Sequence, residues 1–471
     1  MPYCDLRDYL RTLEAHGKLH RIAREVEREW EISAVCRGVF QDIPERQRPG
    51  LLFERIKGFD SPLAAGILGA SLDVYSLALE TPVERISERW TEAVAHPIAP
   101  LLVNSGPCKE NILLGVKADI THFPWATWTV GHDAGPYITS GFVVTKDLRS
   151  GERNVGTYRQ QIKGPRKTGM LIGAVHDGYR HIRNNEAIGE ATPIAIVVGA
   201  DPAVGLCSVS NLPPGADELA VAGGLRCQPV EVVKCETVDL EVPATAELVI
   251  EGEVPAGVRE EEGPFGEYTG YMSPAGQHFV VNVTAITFRH RPILQAFISE
   301  MPPSESSTIR GLAHEQALRQ FLRAHGYPVV DVHCLPAGGT DAYIAVSIDK
   351  KKAIPGMVRS VMFAVWTLEP RQGKITVVVD DDIDIRDPFQ LNWALSFRTQ
   401  PAQDMFIVPD VPAVANDPST APSDVQHHRS ERHIGSKIGI DATRSFEFPP
   451  VALPPQEHLQ RVREHWSEYG F

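Results

Sequence analysis

Phe279–Phe288 reads FVVNVTAITF, a run rich in β-branched and aromatic residues with no glycine or proline inside it. Such a run is a strand. Working outward, the same composition returns at Ile293–Ile298, Ala246–Gly252, Pro193–Gly199, Asn154–Ile162 and Ile138–Thr145, with Gly, Pro or Asp turns between. Among these strands only Ala216–Gly223 reads as a helix. Strands at this spacing predict a β-barrel or sandwich over 106–305 rather than a doubly wound sheet.

The flanks have a different period. Asp5 can cap a helix whose apolar stripe is Leu6, Tyr9, Leu10 and Leu13, and Gly17 can end it. A mixed α/β region then runs to residue 105, punctuated by Pro82 and Ala95–Pro100. Beyond 305, helix and strand alternate. Ile309–His325 is expected as a helix with Leu312, Leu318, Phe321 and Leu322 inward and Gly326 beyond its end. Tyr327–His333, Ala342–Ile348 and Ile375–Asp380 read as strands, and Gly356–Trp366 as a helix. This is an α/β layer domain over 306–471. Residues 401–430, rich in Pro, Asp and Ser, are expected as a long surface loop. Leu459, Val462 and Trp466 share one helical face, which must be covered by the chain's own core or by a second subunit. The fold class is thus an α/β multi-domain chain (α+β).

The 471 residues suffice for two or three domains, and 43% hydrophobic residues can fill their cores. A net charge of −14 excludes the basic surface that nucleic acid requires. Seven scattered cysteines contain no CxxC pair, against a disulfide framework or a cysteine zinc site. No apolar run reaches the length of a membrane span, and the N-terminus lacks the apolar core of a signal peptide. A cytoplasmic protein is expected.

Four clusters could carry chemistry. In Asn154–Gln161, NVGTYRQQ, Arg159 can hold a carboxylate bidentately. Asn154 and Arg159 face opposite sides of a regular strand, so they share one site only if the strand is interrupted. In Glu260–Glu267, EEEGPFGE, two acids flank a Gly-Pro-aromatic-Gly turn. A solvated turn is the plain reading; convergence on a cleft would split their proton affinities. His176 is the third and by itself is most often a satisfied surface or core residue. Gly435-Ser436-Lys437-Ile438-Gly439 is glycine-rich around one lysine, as a phosphate cradle can be, but its spacing is not that of a P-loop. The aspartates of Asp380–Asp387 lack the glycine and distal glutamate of an EF-hand and read as structural, capping a helix near Pro388.

Taken in order, these stretches resemble the UbiD family of decarboxylases. The matching segments are Asn154–Gln161, Ala200–Ala203, Asp217-Glu218, Asp239–Gly252, Glu262–Tyr271 (EGPFGEYTGY), Asp380–Asp387 and Gly435–Thr443 (GSKIGIDAT), covering about 100–445. The resemblance implies a central split β-barrel of the flavin-reductase type that binds prenylated FMN, and a C-terminal α/β domain that drives oligomerisation to a homodimer or homohexamer. It implies that Asn154, His176 and Glu218 ligate a divalent metal, Mn2+ or Mg2+, bridging to the cofactor phosphate, with Lys437 as a second phosphate contact. It implies K+ near the backbone of Cys207 and Ser208. Arg159, Glu262 and Glu267 then form the catalytic network, with Arg159 also beside the cofactor.

The implied reaction is the reversible, non-oxidative decarboxylation of an aromatic, heteroaromatic or α,β-unsaturated carboxylic acid. Losing CO2 from an sp2 carbon leaves an anion that side chains cannot absorb, so a cofactor must be the electron sink. Arg159 and Glu262 would orient the acid and Glu267 would deliver the proton. A flavin prenyltransferase would supply the cofactor. Two other classes remain at this stage: a split-barrel flavin oxidoreductase, and a non-catalytic cofactor-binding or assembly protein, against which the intact Arg159, Glu262 and Glu267 argue.

Overall fold

The computed structural model describes residues 2–470 apart from Asn211, Pro214, Ala415 and 421–433. It is a mixed α/β, multi-domain fold. The first helix, Leu6–Ala15, is capped by Asp5, whose carboxylate accepts from the Asp8 N–H, and it buries Leu6, Tyr9, Leu10 and Leu13. It packs beside a four-stranded sheet, in which Leu19–Val26, Gly50–Ile56 and Leu63–Ala65 are joined by the distant strand Leu294–Ala296. One hydrophobic core, from Tyr3 to Ile309, therefore serves the N-terminal and central regions together.

The central sheet decides where the site lies. Its hydrogen-bonded order is Tyr137–Ile138, Gln160–Gly164, Lys167–Met170, Gly276–Phe288, Leu248–Val254, Thr192–Val198, Gly141–Lys146, Arg153–Thr157. Glu260–Glu262 and Asn111–Leu114 also pair with Gly276–Phe288. Two expected strands are each broken in two. Ile138–Thr145 parts at Thr139-Ser140, and Asn154–Ile162 parts at Tyr158-Arg159. Each two-residue stitch carries the chain from one end of the order to the other. Two residues span only about 10 Å, so the sheet curls until its ends nearly meet. No pairing joins those ends among the described residues, so the barrel is not closed.

Two helices escaped the strand pattern. Pro202–Val209 is buried nearly all round and so lacks an amphipathic period, although Asp201 caps it and Pro202 starts it. Asp177–Glu186 buries the polar His181 and Asn185 together with Gly178 and Ile182, so its inward face does not look apolar. The expected Ala216–Gly223 helix runs from Glu218 to Arg226.

The C-terminal domain is the expected α/β layer. Its sheet order is Val329–Cys334, Tyr343–Ile348, Ile375–Asp380, Ile434–Ala442, Met405–Pro412, with the middle three parallel. Val377 and Val379 face one core and Val378 the other, the two-sided burial typical of parallel strands. Helix Glu305–Ala324 begins four residues before its expected start, with Ser304 and Ser307 closing a capping box.

One expectation is corrected here, and two others are narrowed. The 401–430 loop is instead a short helix, Pro401–Asp404, then the edge strand Met405–Pro412; its Pro409 and Asp410 fall at a register shift, where an edge strand tolerates proline. A short 3-10 turn, Pro418–Thr420, follows, and 421–430 lie outside the described residues. Gly435–Gly439, read as glycine-rich in the manner of a phosphate cradle, lies inside strand Ile434–Ala442, and Gly439 is needed because a Cβ there would meet the Phe406 ring at 2.5 Å. The last helix, Gln456–Glu464, buries none of its residues, so its stripe is not docked into the chain's own core. Asp387 does cap helix Pro388–Arg398, as expected, and Asp380 is a buried partner of Arg398.

Candidate active site

Arg159 sits on the stitch that breaks the strand, at the seam between the sheet's two ends. That break lets its side chain turn inward. Its Nε and Nη2 donate to Glu262 Oε1 and Oε2 at 2.9 and 2.8 Å, a fork-to-fork pair. Its Nη1 donates to Glu267 Oε1 at 2.6 Å and to Ser273 Oγ at 2.8 Å. Phe265 lies under the guanidinium at 5.1 Å. One arginine thus satisfies two carboxylates on either side of the Gly263–Gly266 turn.

The two acids are not equivalent. Glu262 is fully buried and doubly held, whereas Glu267 keeps 17% of its side chain exposed and has one oxygen on Arg159. Burial raises the Glu267 pKa above the ordinary glutamate value; Arg159 and Arg310 pull it down, Glu262 pushes it up, and Ser273 pulls it down. For Arg159, burial opposes the charge, but Glu267 and Glu262 outweigh it and keep the guanidinium above its usual range. The result is an acid able to keep its proton beside a fixed cation.

A second cluster lies on the other side of Tyr158. Asn154 is buried, and its Nδ2 donates to Tyr158 Oη at 3.4 Å. The Tyr158 ring stands 5.6 Å from the His176 ring. Tyr158 is folded into a notch: a Cβ on Gly156 or Gly178 would come within 2.4 or 2.9 Å of it. Glu218 Oε2 accepts from the Val155 N–H at 3.0 Å. So Asn154, His176 and Glu218 are brought to one neighbourhood by a strand and by the first turns of two helices.

These residues fit a divalent cation. Burial pushes the Glu218 carboxyl to about 7; backbone N–H groups of Glu218 and Val155 ease it, while Asp217 and Asp177 push further. Burial, with Arg310 and Arg371, lowers the His176 pKa, leaving a neutral imidazole with a free lone pair. A buried carboxylate with no ammonium or guanidinium on it, a neutral imidazole and an amide make a hard to borderline donor set. Among the described residues no three His, Cys, Asp or Glu gather to hold an ion; here the third donor would be the Asn154 amide.

Lys437 is not brought to this cluster by any direct contact described. It is buried in the C-terminal sheet, donates to the Gln372 carbonyl and lies 5.7 Å over Trp366; burial lowers it to about 8. A polar chain leads from it: Gln372 Nε2 lies 3.1 Å from His314 Nε2, His314 Nδ1 lies 3.2 Å from Asp341 Oδ1, and Arg310 donates to Asp341 Oδ2 at 2.9 Å. Arg310 stacks on Tyr268 at 4.1 Å, next to Glu267. Sequence reading missed Tyr158, Arg310, His314 and Asp341. The signal was present: Arg310, His314, Leu318 and Leu322 share one face at four-residue spacing, but only the apolar half was used.

Family models described as the N-terminal, Rift-related and C-terminal domains of 3-octaprenyl-4-hydroxybenzoate carboxy-lyase match residues 10–94, 101–302 and 307–442. The chain belongs to the UbiD family of carboxy-lyases. Among solved structures, the UbiD-class enzyme HmfF from Pelotomaculum thermopropionicum in complex with FMN is 37% identical, with 96% of each chain covered and a TM-score of 0.84. An evolved dimeric form of HmfF in complex with prFMN is 36% identical, covering 96% of this chain and 98% of that one, at 0.83. The vanillic acid decarboxylase of Sedimentibacter hydroxybenzoicus, in open form, is 28% identical over 99% and 100%, at 0.85. The UbiD likeness thus spans all three domains, and it does not favour the flavin oxidoreductase reading. Among the described residues of this UbiD-family chain, no helix is long and apolar enough to cross a membrane.

Proposed function

We propose that this chain reversibly decarboxylates an aromatic, heteroaromatic or α,β-unsaturated carboxylic acid, with Glu267 as proton donor and Arg159 and Glu262 orienting the substrate. The observation that carries it is the buried bridge in which one guanidinium holds Glu262 by both oxygens and Glu267 by one. The slightly exposed Glu267 carboxyl, held by one oxygen only, is the member able to exchange a proton with a reacting carbon. Arg159 is fixed in advance by Glu262, beside the packed rings of Phe265 and Tyr137, so its charge is in place before an anionic substrate arrives.

Prenylated FMN, when bound, supplies the electron sink that the reaction requires. Its binding in the central domain, read as a split barrel, is supported by the curled, unclosed sheet and by the FMN and prFMN complexes of HmfF. Asn154, His176 and Glu218 would hold Mn2+ or Mg2+ at its phosphate. Lys437 as a phosphate contact is supported only by its charge and its place on the polar chain that ends at Arg310. K+ near Cys207 and Ser208 is supported only by their place at the end of helix Pro202–Val209, where the last carbonyls carry the negative pole. We assign the chain to a cytoplasmic homodimer or homohexamer charged by a flavin prenyltransferase; seven unpaired cysteines and the dimeric HmfF form support this.

The test uses protein co-expressed with a flavin prenyltransferase and a panel of unsaturated acids, scored by deuterium exchange into the product. Glu267→Gln is expected to retain the cofactor and lose roughly 10²–10⁴-fold in turnover. Near-native turnover in that variant would remove Glu267 from the role.

A further inference from the structure

The turn that carries Glu267 is pressed from the C-terminal side by an unusually close junction. Gly339 has φ +59, and a Cβ there would stand 3.1 Å from the Tyr268 carbonyl oxygen and 3.4 Å from Thr269 Cα. A side chain at 339 would thus be strained and would also push the turn away. Next to it, a Cβ on Gly311 would meet Thr340 Cγ2 at 2.8 Å. The 339–341 segment is therefore wedged between helix Glu305–Ala324 and the Glu267 turn.

At the centre of the wedge is one ion pair. Arg310 reaches from the helix, donates to Asp341 Oδ2 at 2.9 Å and covers the Tyr268 ring at 4.1 Å. Asp341 is 4% exposed and its other oxygen faces His314 Nδ1 at 3.2 Å. Arg310 Nε is buried without a hydrogen-bond partner, so the guanidinium is held by Asp341 and the ring rather than saturated. The ring that Arg310 covers belongs to the residue that follows Glu267, so the guanidinium lies beside the Glu267 turn, and its charge pulls the Glu267 pKa down.

We propose that Arg310, braced by Asp341, is a positioning residue for Glu267, through which the seat of the C-terminal domain sets the orientation and the electrostatic surroundings of that carboxyl. This rests on the reading of Glu267 as proton donor. Arg159 touches Glu267 directly, Glu262 and Ser273 share that guanidinium with it, and Arg310, with Asp341 behind it, acts on Glu267 by charge from beside Tyr268, as it also does on His176. His278 and Asp133 act on Arg159 and Glu262 from the next elements. Of these, only Arg310 and Asp341 belong to the C-terminal domain.

The two partners should act with opposite sign. Without the Arg310 cation, Glu267 holds its proton to higher pH. Without the Asp341 charge, Arg310 is left uncompensated and Glu267 releases its proton at lower pH. A contact that merely held the fold together would move both variants the same way, since both break the same pair.

The measurement is the carbonyl stretch of protonated Glu267, followed by infrared difference spectroscopy on the full-length protein across the acid and neutral range and identified by its loss in Glu267→Gln. It needs no substrate. Arg310→Met is expected to raise the midpoint by on the order of one pH unit and Asp341→Asn to lower it; Arg310→Lys, which keeps the charge, is expected to stay near the native midpoint. Midpoints that move together, do not move, or belong to a band that never appears would overturn the coupling. Normal turnover by Glu267→Gln would instead overturn the proton-donor reading, and a silent Glu267→Gln with unparted midpoints removes only the coupling.

Discussion

At the scale of single residues, the site works by unequal treatment of two glutamates. Glu262 takes both ends of the Arg159 fork; Glu267 takes one donor and stays partly open. Arg159→Lys replaces a planar fork by a point charge that cannot serve both acids in this geometry, so we expect turnover to fall by roughly 10²-fold with the cofactor retained, checked by steady-state rates and visible absorbance. Because a donor acts in its protonated form, turnover should fall as pH rises through the Glu267 pKa, which burial places above the ordinary value. That limb should vanish from the residual rate of Glu267→Gln. His176→Ala or Glu218→Ala should lose the divalent metal by elemental analysis; unchanged content would break up the trio with Asn154. Arg159, Glu262 and Glu267 were all visible in the sequence as residue types in a pattern. Their meeting came from the family resemblance and not from the pattern itself, because it depends on a strand break at Tyr158-Arg159 that the composition of Asn154–Ile162 does not announce.

At the scale of elements, helix Glu305–Ala324 ties the regions together. Its first residue, Glu305, is fully buried and accepts from the Gly66 and Leu68 N–H groups at 2.9 Å each. Burial pushes Glu305 to about 7 against those bonds. The folded state then binds more protons than the unfolded one between the two pKa values, so stability is lost as pH rises from the ordinary glutamate range through 7. Glu305→Gln should lower the apparent Tm at acid pH, since an amide N–H cannot accept, but should remove on the order of 2 kcal/mol of the pH dependence. Thermal scans at several pH values would show the two curves converging at alkaline pH. The helices with an apolar stripe or a cap were legible from their spacing. Pro202–Val209 and Asp177–Glu186 were not, since one is apolar on every side and the other buries polar groups. The Met405–Pro412 strand was hidden by prolines that only an edge position permits.

At the scale of the whole molecule, the change of period leads to an expectation of three domains, while one hydrophobic core runs through the first two of those regions. The C-terminal domain leaves Phe363, Phe389, Phe397 and Ile407 between 50% and 78% exposed, more apolar surface than an isolated domain usually shows. If this domain drives assembly, the paired changes Phe389→Asp and Phe397→Asp should reduce the mass measured by light scattering while leaving the circular dichroism spectrum intact; an unchanged mass would place the interface elsewhere.

The curled central sheet has a last consequence. Its ends are sewn by two short stitches, and only one of them carries the arginine. The Thr139-Ser140 stitch holds no residue of the reactive bridge, and its main anchor is the Phe297 N–H on Thr139 Oγ1 at 2.9 Å. Ser140 is fully buried, and a Cβ on its neighbour Gly141 would stand 3.8 Å from the Tyr158 carbonyl oxygen, so the plain stitch backs the one that carries the arginine. A bulkier residue in that hem would therefore be felt at the arginine behind it, which makes a segment without reactive groups a lever on those that react.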